Sequence, residues 1–396
     1  MNAAAILVSA ASLAAWLYLL CGRGHFWRSV DRDDALIPSQ GRVLMDGWPS
    51  VVAVVPARDE AGLIATSVGS LLQQDYPARF DVVLVDDRST DGTAAVASET
   101  AVRMGAAERL TIIQGADPPP SWTGKLWAME QGFAYLEAQS EPPDFVLFSD
   151  ADIAYDASVV RQLVEGACAR QTVLTSLMVK LRCESFAERM IIPAFIFFFQ
   201  KLYPFAWVNN PTYRTAAAAG GCMLVHCDAL RRAGGFRAIR GALIDDCALG
   251  ALLKGQGPIW LSLTENADSL RAAPTLGDMR RMVARSAYAQ LRYSPLALFG
   301  AVLAMAVVYI APPLLAVLAG GMARGFGLAA WGLMTWAFVP TLRFYKVNPV
   351  RALALPVIAS MYILFTLDSA LQHWRGRGGA WKGRFQAAAS RGMTER

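Results

Sequence analysis

Hydrophobic positions in the first half of this 396-residue chain fall into short, continuous runs. Stretches with helical spacing separate these runs, which predicts strands and helices in alternation. A strand that is apolar at every position is typical of a parallel sheet covered on both faces. The predicted strands are 51–55, 82–85, 110–114 and 145–149. The alternation predicts a doubly wound α/β domain, which we place at 48–295.

Longer apolar runs lie at the two ends of the chain. Residues 3–20 carry no charge, and 18 residues is about the minimum that spans a bilayer. No Lys or Arg precedes this run, which favours a retained anchor, at 1–22, over a cleaved signal peptide. Arg23, Arg28 and Arg32 follow it, so the positive-inside rule places the next segment in the cytoplasm.

The C-terminal third holds three further runs, at about 296–320, 326–342 and 352–371, within a predicted membrane region of 296–372. Prolines at 312, 313 and 356 predict kinks in these helices. The tail at 373–396 is basic. Three crossings would leave that tail outside, against the positive-inside rule, so one run is re-entrant or interfacial. The sequence does not distinguish which one.

A phenylalanine-rich segment at about 185–208 interrupts the α/β pattern. Charged residues, among them Glu188 and Lys201, break its apolar run. This pattern predicts a helix that lies in the bilayer interface. The alternative is a helix buried in the protein core.

Composition agrees with attachment to a membrane. Hydrophobic residues make up 55% of the chain, charged residues 17%, and the mean hydropathy is +0.33, which is too apolar for an ordinary soluble enzyme. The net charge is +5. Because the basic residues collect beside the apolar runs, they indicate anionic lipid headgroups as the partner, and not nucleic acid.

Acidic residues follow the predicted strands in two places. Asp86 and Asp87 end the second strand, and a contact to a base edge or ribose is the function that we predict for them. Asp150 and Asp152 end the fourth strand. Ligands bind at the carboxyl edge of open α/β sheets, and spaced carboxylates there suit a divalent cation that bridges a diphosphate.

A third acidic pair, Asp245 and Asp246, opens a predicted helix. These carboxylates either cap the helix or include a general base that takes the proton of an acceptor hydroxyl. Lys125 follows Gly124 at another helix start, where a diphosphate contact is expected, although the spacing is not that of a P-loop.

Other positions carry weaker signals. The turn that contains Pro56, Ala57 and Glu60 follows the first strand and can contact a nucleoside. A basic cluster precedes the membrane runs and either neutralises a leaving diphosphate or forms a belt at the headgroups. Its members are Arg280, Arg281, Arg285 and Arg292.

Taken together, these motifs resemble family 2 glycosyltransferases of the GT-A fold. The resemblance covers about residues 50–295. It is carried by the series P-A-R-D-E, V-D-D-R-S-T-D-G-T, G-K-L-W-A-M, D-A-D, A-G-G-C-M-L-V, I-D-D and Q-L-R-Y. The segment S-W-T-G-K-L-W-A and the membrane layout are most similar to hopanoid-biosynthesis-associated glycosyltransferases.

The resemblance implies an inverting transfer from a nucleotide-sugar, usually a UDP-sugar, with a role for each matching residue. Pro56, Ala57, Glu60, Asp86 and Asp87 would bind the nucleoside, and Lys125 and Arg292 the rest of the donor. Asp150 and Asp152 would hold Mg²⁺ or Mn²⁺. Gly220, Gly221 and Cys222 would line the acceptor side. Asp246, with Asp245 beside it, would be the catalytic base.

The chain departs from the family pattern in two places. Asp245 stands where glutamate is commoner. In the Q-x-x-R-W motif, Ala289 replaces the glutamine and Tyr293 the tryptophan, which favours a single transfer over processive polymerisation.

The sequence therefore predicts a multi-pass enzyme of the bacterial inner membrane, with a cytoplasmic GT-A domain and a lipid acceptor. The acceptor is a hopanoid, or alternatively a ceramide-like lipid, a carotenoid or a glycerolipid. Two different classes of protein fit parts of the pattern, namely a sugar nucleotidyltransferase and an inactive nucleotide-binding membrane scaffold. The former would need a Gly-rich basic loop after the first strand, which Pro56–Glu60 is not.

Overall fold

The structure is a computed structural model that describes residues 3–36 and 47–378, together with the backbone of 380–381 and 384–385. Most of the predicted basic tail, 373–396, lies outside the described residues.

An eight-stranded mixed sheet forms the centre of the α/β domain. In spatial order the strands run β3-β2-β1-β4-β7-β6-β8-β5. Their bounds are β1 Val51–Ala57, β2 Phe80–Asp86, β3 Leu110–Gln114, β4 Phe145–Ser149, β5 Ile153–Tyr155, β6 Leu174–Lys180, β7 Cys222–His226 and β8 Ile259–Ser269. The four strands predicted from apolar runs are β1 to β4.

Helices pack on both faces of this sheet and continue into the apolar ends of the chain. They are α1 Ala3–Cys21, α2 Ile64–Leu72, α3 Thr93–Arg103, α4 Gly124–Glu137, α5 Val159–Arg170, α6 Phe186–Leu202, α7 Phe205–Val208, α8 Cys227–Arg232, α9 Asp245–Lys254, α10 Leu276–Ala284, α11 Ala287–Gln290, α12 Pro295–Met305, α13 Ala311–Leu318, α14 Gly321–Phe344 and α15 Leu355–Trp374.

Strand register brings the predicted site residues to one edge of the sheet. All seven residues of β1 are buried, as expected for a central strand. β1 pairs in parallel with β2 and β4, so that Ala57 lies opposite Asp86, and Val54 lies opposite Phe148. The carboxyl ends of these strands therefore meet where Asp86, Asp87 and Asp150 follow.

Among the residues that the structure describes, five apolar segments are long enough to cross a membrane. They are Ala3–Cys21, Phe186–Val208, Pro295–Leu318, Gly321–Phe344 and Pro349–Trp374. The prolines that were predicted to kink these helices lie at helix starts instead. Pro356 is in the first turn of α15, where its missing N–H costs no hydrogen bond. Pro312 is in the first turn of α13, directly after a π-helical segment at 306–310.

The phenylalanine-rich segment forms α6, whose start is defined by a capping box between Ser185 and Glu188. Ten of its 17 residues are buried. Phe197 packs against Phe26 and Phe338, with ring centroids 5.2 Å away in each case. α6 thus joins the α/β domain to the C-terminal helices. More than half of its residues are buried, as in the alternative prediction of a helix in the protein core.

Candidate active site

A cleft of about 300 Å³ opens at the carboxyl edge of β1 and β4. Seven of the residues that the sequence singled out line it: Pro56, Glu60, Lys125, Asp150, Asp152, Asp245 and Arg285. The other polar residues of the lining are Arg58, Thr123 and Arg271. The cleft is strongly charged, with carboxylates and cations facing each other across a small volume.

Lys125 lies at the centre of the carboxylates. The Thr123 side chain caps α4 by accepting a hydrogen bond from the Leu126 N–H, which fixes the start of the helix and presents Lys125 to the cleft. The Lys125 Nζ is 2.7 Å from Asp150 Oδ1 and 3.1 Å from Asp245 Oδ2. Burial alone would lower the pKa of Lys125, but these carboxylates outweigh it and hold the pKa above its ordinary value.

Arg271 forms a second bridge on the other side of the cleft. Its Nε lies 2.7 Å from Asp152 Oδ2, and its Nη2 pairs with Glu60. Burial opposes the charge on Arg271, but the two carboxylates raise its pKa above the ordinary value. Each acid of the Asp150–Asp152 pair therefore faces a cation from the protein, namely Lys125 and Arg271.

The donor set at this edge fits a hard divalent cation. Among the described residues no group of three or more His, Cys, Asp and Glu side chains could hold a metal alone. Mg²⁺ commonly binds through one or two carboxylates and completes its shell with water and substrate phosphates. Asp150 and Asp152 supply two such carboxylates, and both already neutralise positive charge in this structure.

Asp246 is held by the backbone beside this cluster. Its Oδ2 accepts from the Gly220 N–H at 3.0 Å, and its Oδ1 accepts from the Cys247 N–H at 2.7 Å. Burial, and then the neighbouring Asp245, raise the pKa of Asp246 to about 6, although Lys125 and the two N–H groups oppose the rise. A carboxylate with this pKa is ionised at neutral pH and is basic enough to accept a proton.

A short chain of contacts leads from Asp246 toward the apolar helices. The adjacent Cys247 contacts Tyr203, which follows the last turn of α6. The Tyr203 hydroxyl accepts a hydrogen bond from Gln290 Nε2 at 2.6 Å. Gln290 belongs to α11, so residues from three separate elements fix the surroundings of Asp246.

Of the predicted nucleoside-binding residues, Pro56 and Glu60 line the cleft, whereas Ala57, Asp86 and Asp87 do not. Ala57 is buried at the end of β1, while Asp86 is 4% and Asp87 is 1% exposed. Asp86 Oδ1 accepts from the Ser89 N–H at 3.0 Å. Asp87 Oδ2 is 3.7 Å from Arg58 Nη1. In this structure both acids support the loop that follows β2, and their contact with a nucleoside stays a prediction.

Gly220, Gly221 and Cys222 occupy different environments. Gly220 lies against the site, since a Cβ there would come within 3.1 Å of Lys125 Nζ. The Gly221 carbonyl accepts from the Tyr155 hydroxyl at 2.8 Å. Cys222 opens β7 and is fully buried. Of the three, Gly220 is the one that lies against Lys125 and Asp246, whereas Cys222 supports the site only through the strand. A contact of these residues with the acceptor stays a prediction.

Arg292 is exposed and is not among the residues that line the cleft, so its diphosphate contact stays a prediction. Arg285, from the same basic cluster, does line it.

Sequence reasoning missed the roles of Arg58 and Arg271. Arg58 lies within the P-A-R-D-E turn, which was a usable signal. Arg271 stands alone after β8, and no local pattern marks it.

The arrangement is that of a GT-A glycosyltransferase: an α/β sheet, a D-x-D pair at a strand end and an acid opening a later helix. The structure resembles the mannosyltransferase PcManGT of Pyrobaculum calidifontis, solved in complex with GDP-Man and Mn²⁺. The TM-score is 0.52 at 19% identity, over 93% of this chain and 99% of that one. This likeness concerns the fold.

Sequence comparison defines the family. The profile described as "Glycosyltransferase like family 2" matches residues 49–263, which is more than half of the chain. The chain therefore belongs to glycosyltransferase family 2.

Curated relatives match a shorter stretch. A dolichyl-phosphate beta-glucosyltransferase of Saccharomyces cerevisiae is 30% identical over 31% of this chain and 36% of its own length. A 4,4'-diaponeurosporenoate glycosyltransferase of Staphylococcus haemolyticus is 30% identical over 31% of this chain and 29% of its own length. The alignments thus span about a third of each relative.

Proposed function

We propose that this protein is a membrane-bound inverting glycosyltransferase that moves one sugar from a nucleotide-sugar, a UDP-sugar, to a lipid hydroxyl. The observation that carries the proposal is the position of Asp246. This carboxylate, with a pKa of about 6, lies beside the charged donor cleft and next to Tyr203, at the end of the apolar helix α6. A lipid hydroxyl that approaches along the apolar helices would meet the base there.

In the proposed reaction Asp246 takes the proton of the acceptor hydroxyl. The hydroxyl oxygen forms a bond to the anomeric carbon as the bond from that carbon to the diphosphate oxygen breaks. Attack from the face opposite the leaving group inverts the configuration. The backbone N–H groups of Gly220 and Cys247 hold both carboxylate oxygens, so the base is oriented before the acceptor arrives.

The cations of the cleft would bind the diphosphate. Lys125 lines the cleft from the first turn of α4 and Arg285 from the end of α10, and both would pair with the diphosphate oxygens. Asp150 and Asp152 are the residues that would hold Mg²⁺ or Mn²⁺. When bound, the metal supplies positive charge that stabilises the leaving diphosphate.

We assign the acceptor to membrane lipids. Two of the matched relatives are named for dolichyl phosphate and for the carotenoid acid 4,4'-diaponeurosporenoate, both long apolar molecules. The hopanoid assignment rests on the resemblance of the S-W-T-G-K-L-W-A segment and of the membrane layout. We place the GT-A domain, 48–295, on the cytoplasmic side of a bacterial inner membrane.

Mass spectrometry of lipids from cells with and without the gene tests this function. Deletion should remove one glycosylated lipid and accumulate its unsugared precursor, and Asp246→Asn should reproduce the deletion. Loss of a glycosylated carotenoid or glycerolipid with hopanoids unchanged would refute the hopanoid acceptor alone. An unchanged lipid profile, with loss of a glycosylated soluble product, would refute the lipid acceptor itself.

A further inference from the structure

Three apolar segments have one end at the catalytic domain and extend away from it. At the end of α1, Arg23 Nε donates to the Lys201 carbonyl at 3.0 Å. At the end of α14, the Phe344 ring lies 5.2 Å from the Arg32 guanidinium and 5.4 Å from Lys180 Nζ. The third segment, α12 with α13, starts directly after the domain.

These three segments pack on one another beyond the domain. The Ser12 hydroxyl donates to the Val307 carbonyl at 2.6 Å, and Trp16 Nε1 donates to the Val308 carbonyl at 2.8 Å. From 295 to 342 the sequence contains a single charged residue, Arg324. Apolar helices that satisfy their polar groups inside the bundle are what a bilayer requires.

α15 differs from these three segments. It packs against α12 and residues 306–310, but it also contacts α6 or the catalytic domain at its start, its middle and its end. Just before its start, the Arg351 guanidinium is 5.7 Å from the ring of Phe186, at the beginning of α6. In its middle, the Tyr362 hydroxyl donates to the Ile191 carbonyl at 3.2 Å. At its end, the His373 ring stacks on Tyr293 at 4.3 Å.

The partners near the end of α15 are polar. Asp368 is 3.7 Å from Arg280 of α10, and the Ser369 hydroxyl donates to the Ala284 carbonyl. α10 has three charged residues among nine, so it belongs on the aqueous side. Asp368 lies 13 residues after Leu355, about 20 Å along the helix, and a crossing helix would carry it, with α10, deep into the bilayer.

The opposite face of α15, with the turn before it, is apolar and exposed. Its exposed side chains recur at intervals of three, four and seven residues, which places them on one side of the helix. They are Leu353, Val357, Leu364, Leu367, Leu371 and Trp374. Arg351 precedes this stripe, and Arg375 and Arg377 follow it. An apolar stripe with basic residues at both ends is complementary to the boundary between acyl chains and anionic headgroups.

We propose that α15 lies along the cytoplasmic surface of the bilayer and does not cross it. The chain then crosses three times, through α1, through α12 with α13, and through α14. The residues after 374 emerge on the side of the catalytic domain, where their basic charge obeys the positive-inside rule. This inference rests on the proposed membrane insertion and is independent of sugar transfer.

Epitope tags in the full-length protein test the topology. One tag is inserted between Ala319 and Gly320, in the turn between α13 and α14, and a second is placed after Arg396. In intact spheroplasts an antibody should reach the first tag and not the second, and lysis should expose both. Access to the C-terminal tag before lysis would show that α15 crosses. A protected first tag would refute the three crossings.

A matched pair of lysine substitutions tests the depth of α15. Leu364 in α15 is 63% exposed, and Leu303 in α12 is 54% exposed. In an interfacial helix the introduced lysine reaches the headgroups, so the amount of Leu364→Lys in the membrane fraction should stay within about twofold of the wild type. Leu303→Lys places its charge in a crossing segment and should lower that amount at least about fivefold. Equal loss in both variants would overturn the proposal.

Discussion

Replacing Asp246 by asparagine tests the proposed base, because the change removes the proton acceptor and keeps the size of the side chain. General bases contribute about 10²–10⁴-fold to turnover, so kcat should fall by at least about 100-fold. Binding of the UDP-sugar should change little, because the groups that line the donor cleft include Lys125, Asp150 and Asp152, and not Asp246.

Folding should survive this substitution, because two effects on stability oppose each other. A pKa raised from 3.8 to about 6 corresponds to about 3 kcal/mol of unfavourable free energy for holding the carboxylate ionised in the folded state. Asparagine removes that cost. Its amide, however, can accept from only one of the Gly220 and Cys247 N–H groups, and leaving the other without an acceptor costs about 1–3 kcal/mol.

The same pKa sets the pH dependence of the wild-type enzyme. Catalysis needs the ionised form, so kcat/KM should fall as the pH drops through about 6, with about a tenth of the activity left one pH unit lower. The contribution of Asp246 to the free energy of unfolding changes with pH in the opposite direction to activity. Because the folded-state pKa is raised, the cost of ionisation is absent below the unfolded value near 3.8 and complete above about 6.

The assay is transfer from radiolabelled UDP-sugar into extracted membrane lipid, measured between about pH 5 and 8, the range that brackets the expected pKa, for the wild type, Asp246→Asn and Asp245→Asn. The wild type should lose activity on the acidic side. Asp246→Asn should keep a small residual rate without that acidic limb. Full activity in Asp246→Asn combined with an inactive Asp245→Asn would refute the reasoning and move the base to the neighbouring acid.

Three further predictions concern the cleft and the membrane. Asp152→Ala should abolish divalent-dependent binding of UDP in calorimetry while the protein stays folded, and unchanged metal and UDP affinity would refute the metal assignment. Arg271→Gln frees Asp152 and Glu60 from their bridge, so it should raise metal affinity in the absence of nucleotide; lower affinity would mean that Arg271 helps to build the metal site. Alkaline carbonate should leave the protein in the membrane pellet, and its release would contradict integral insertion.

The sheet and its charged edge were predictable, because burial dictates the sequence there. A central strand must be apolar at every position, so β1, β2 and β4 were visible as runs, and the residues after them had to meet at one edge. A different rule predicted Lys125: a helix N-terminus favours anions, so a lysine in the first turn of a helix is placed to contact a diphosphate.

Residues that act through distant contacts were not predictable in this way. Arg271 reaches Glu60, 211 positions earlier, and only the pairing of β5 with β8 brings it to the cleft. The burial of Asp86 and Asp87 also depends on tertiary packing. The sequence alone does not show whether two adjacent acids after a strand face a ligand or support a loop.

The orientation of the apolar helices also depends on tertiary contacts, so the sequence did not predict it. By length and composition, five segments in the described part of the chain could cross a membrane, but only their contacts distinguish a crossing helix from one that lies on the surface. Tyr203 at the end of α6 contacts Cys247 beside the base, and Gln290 holds the Tyr203 hydroxyl. Gln290 lies in α11, which packs against the end of α15. If α15 lies on the membrane, three successive contacts link the base to the bilayer surface, namely Cys247 with Tyr203, Tyr203 with Gln290, and α11 with α15. A lipid hydroxyl then need not leave the headgroup region to react.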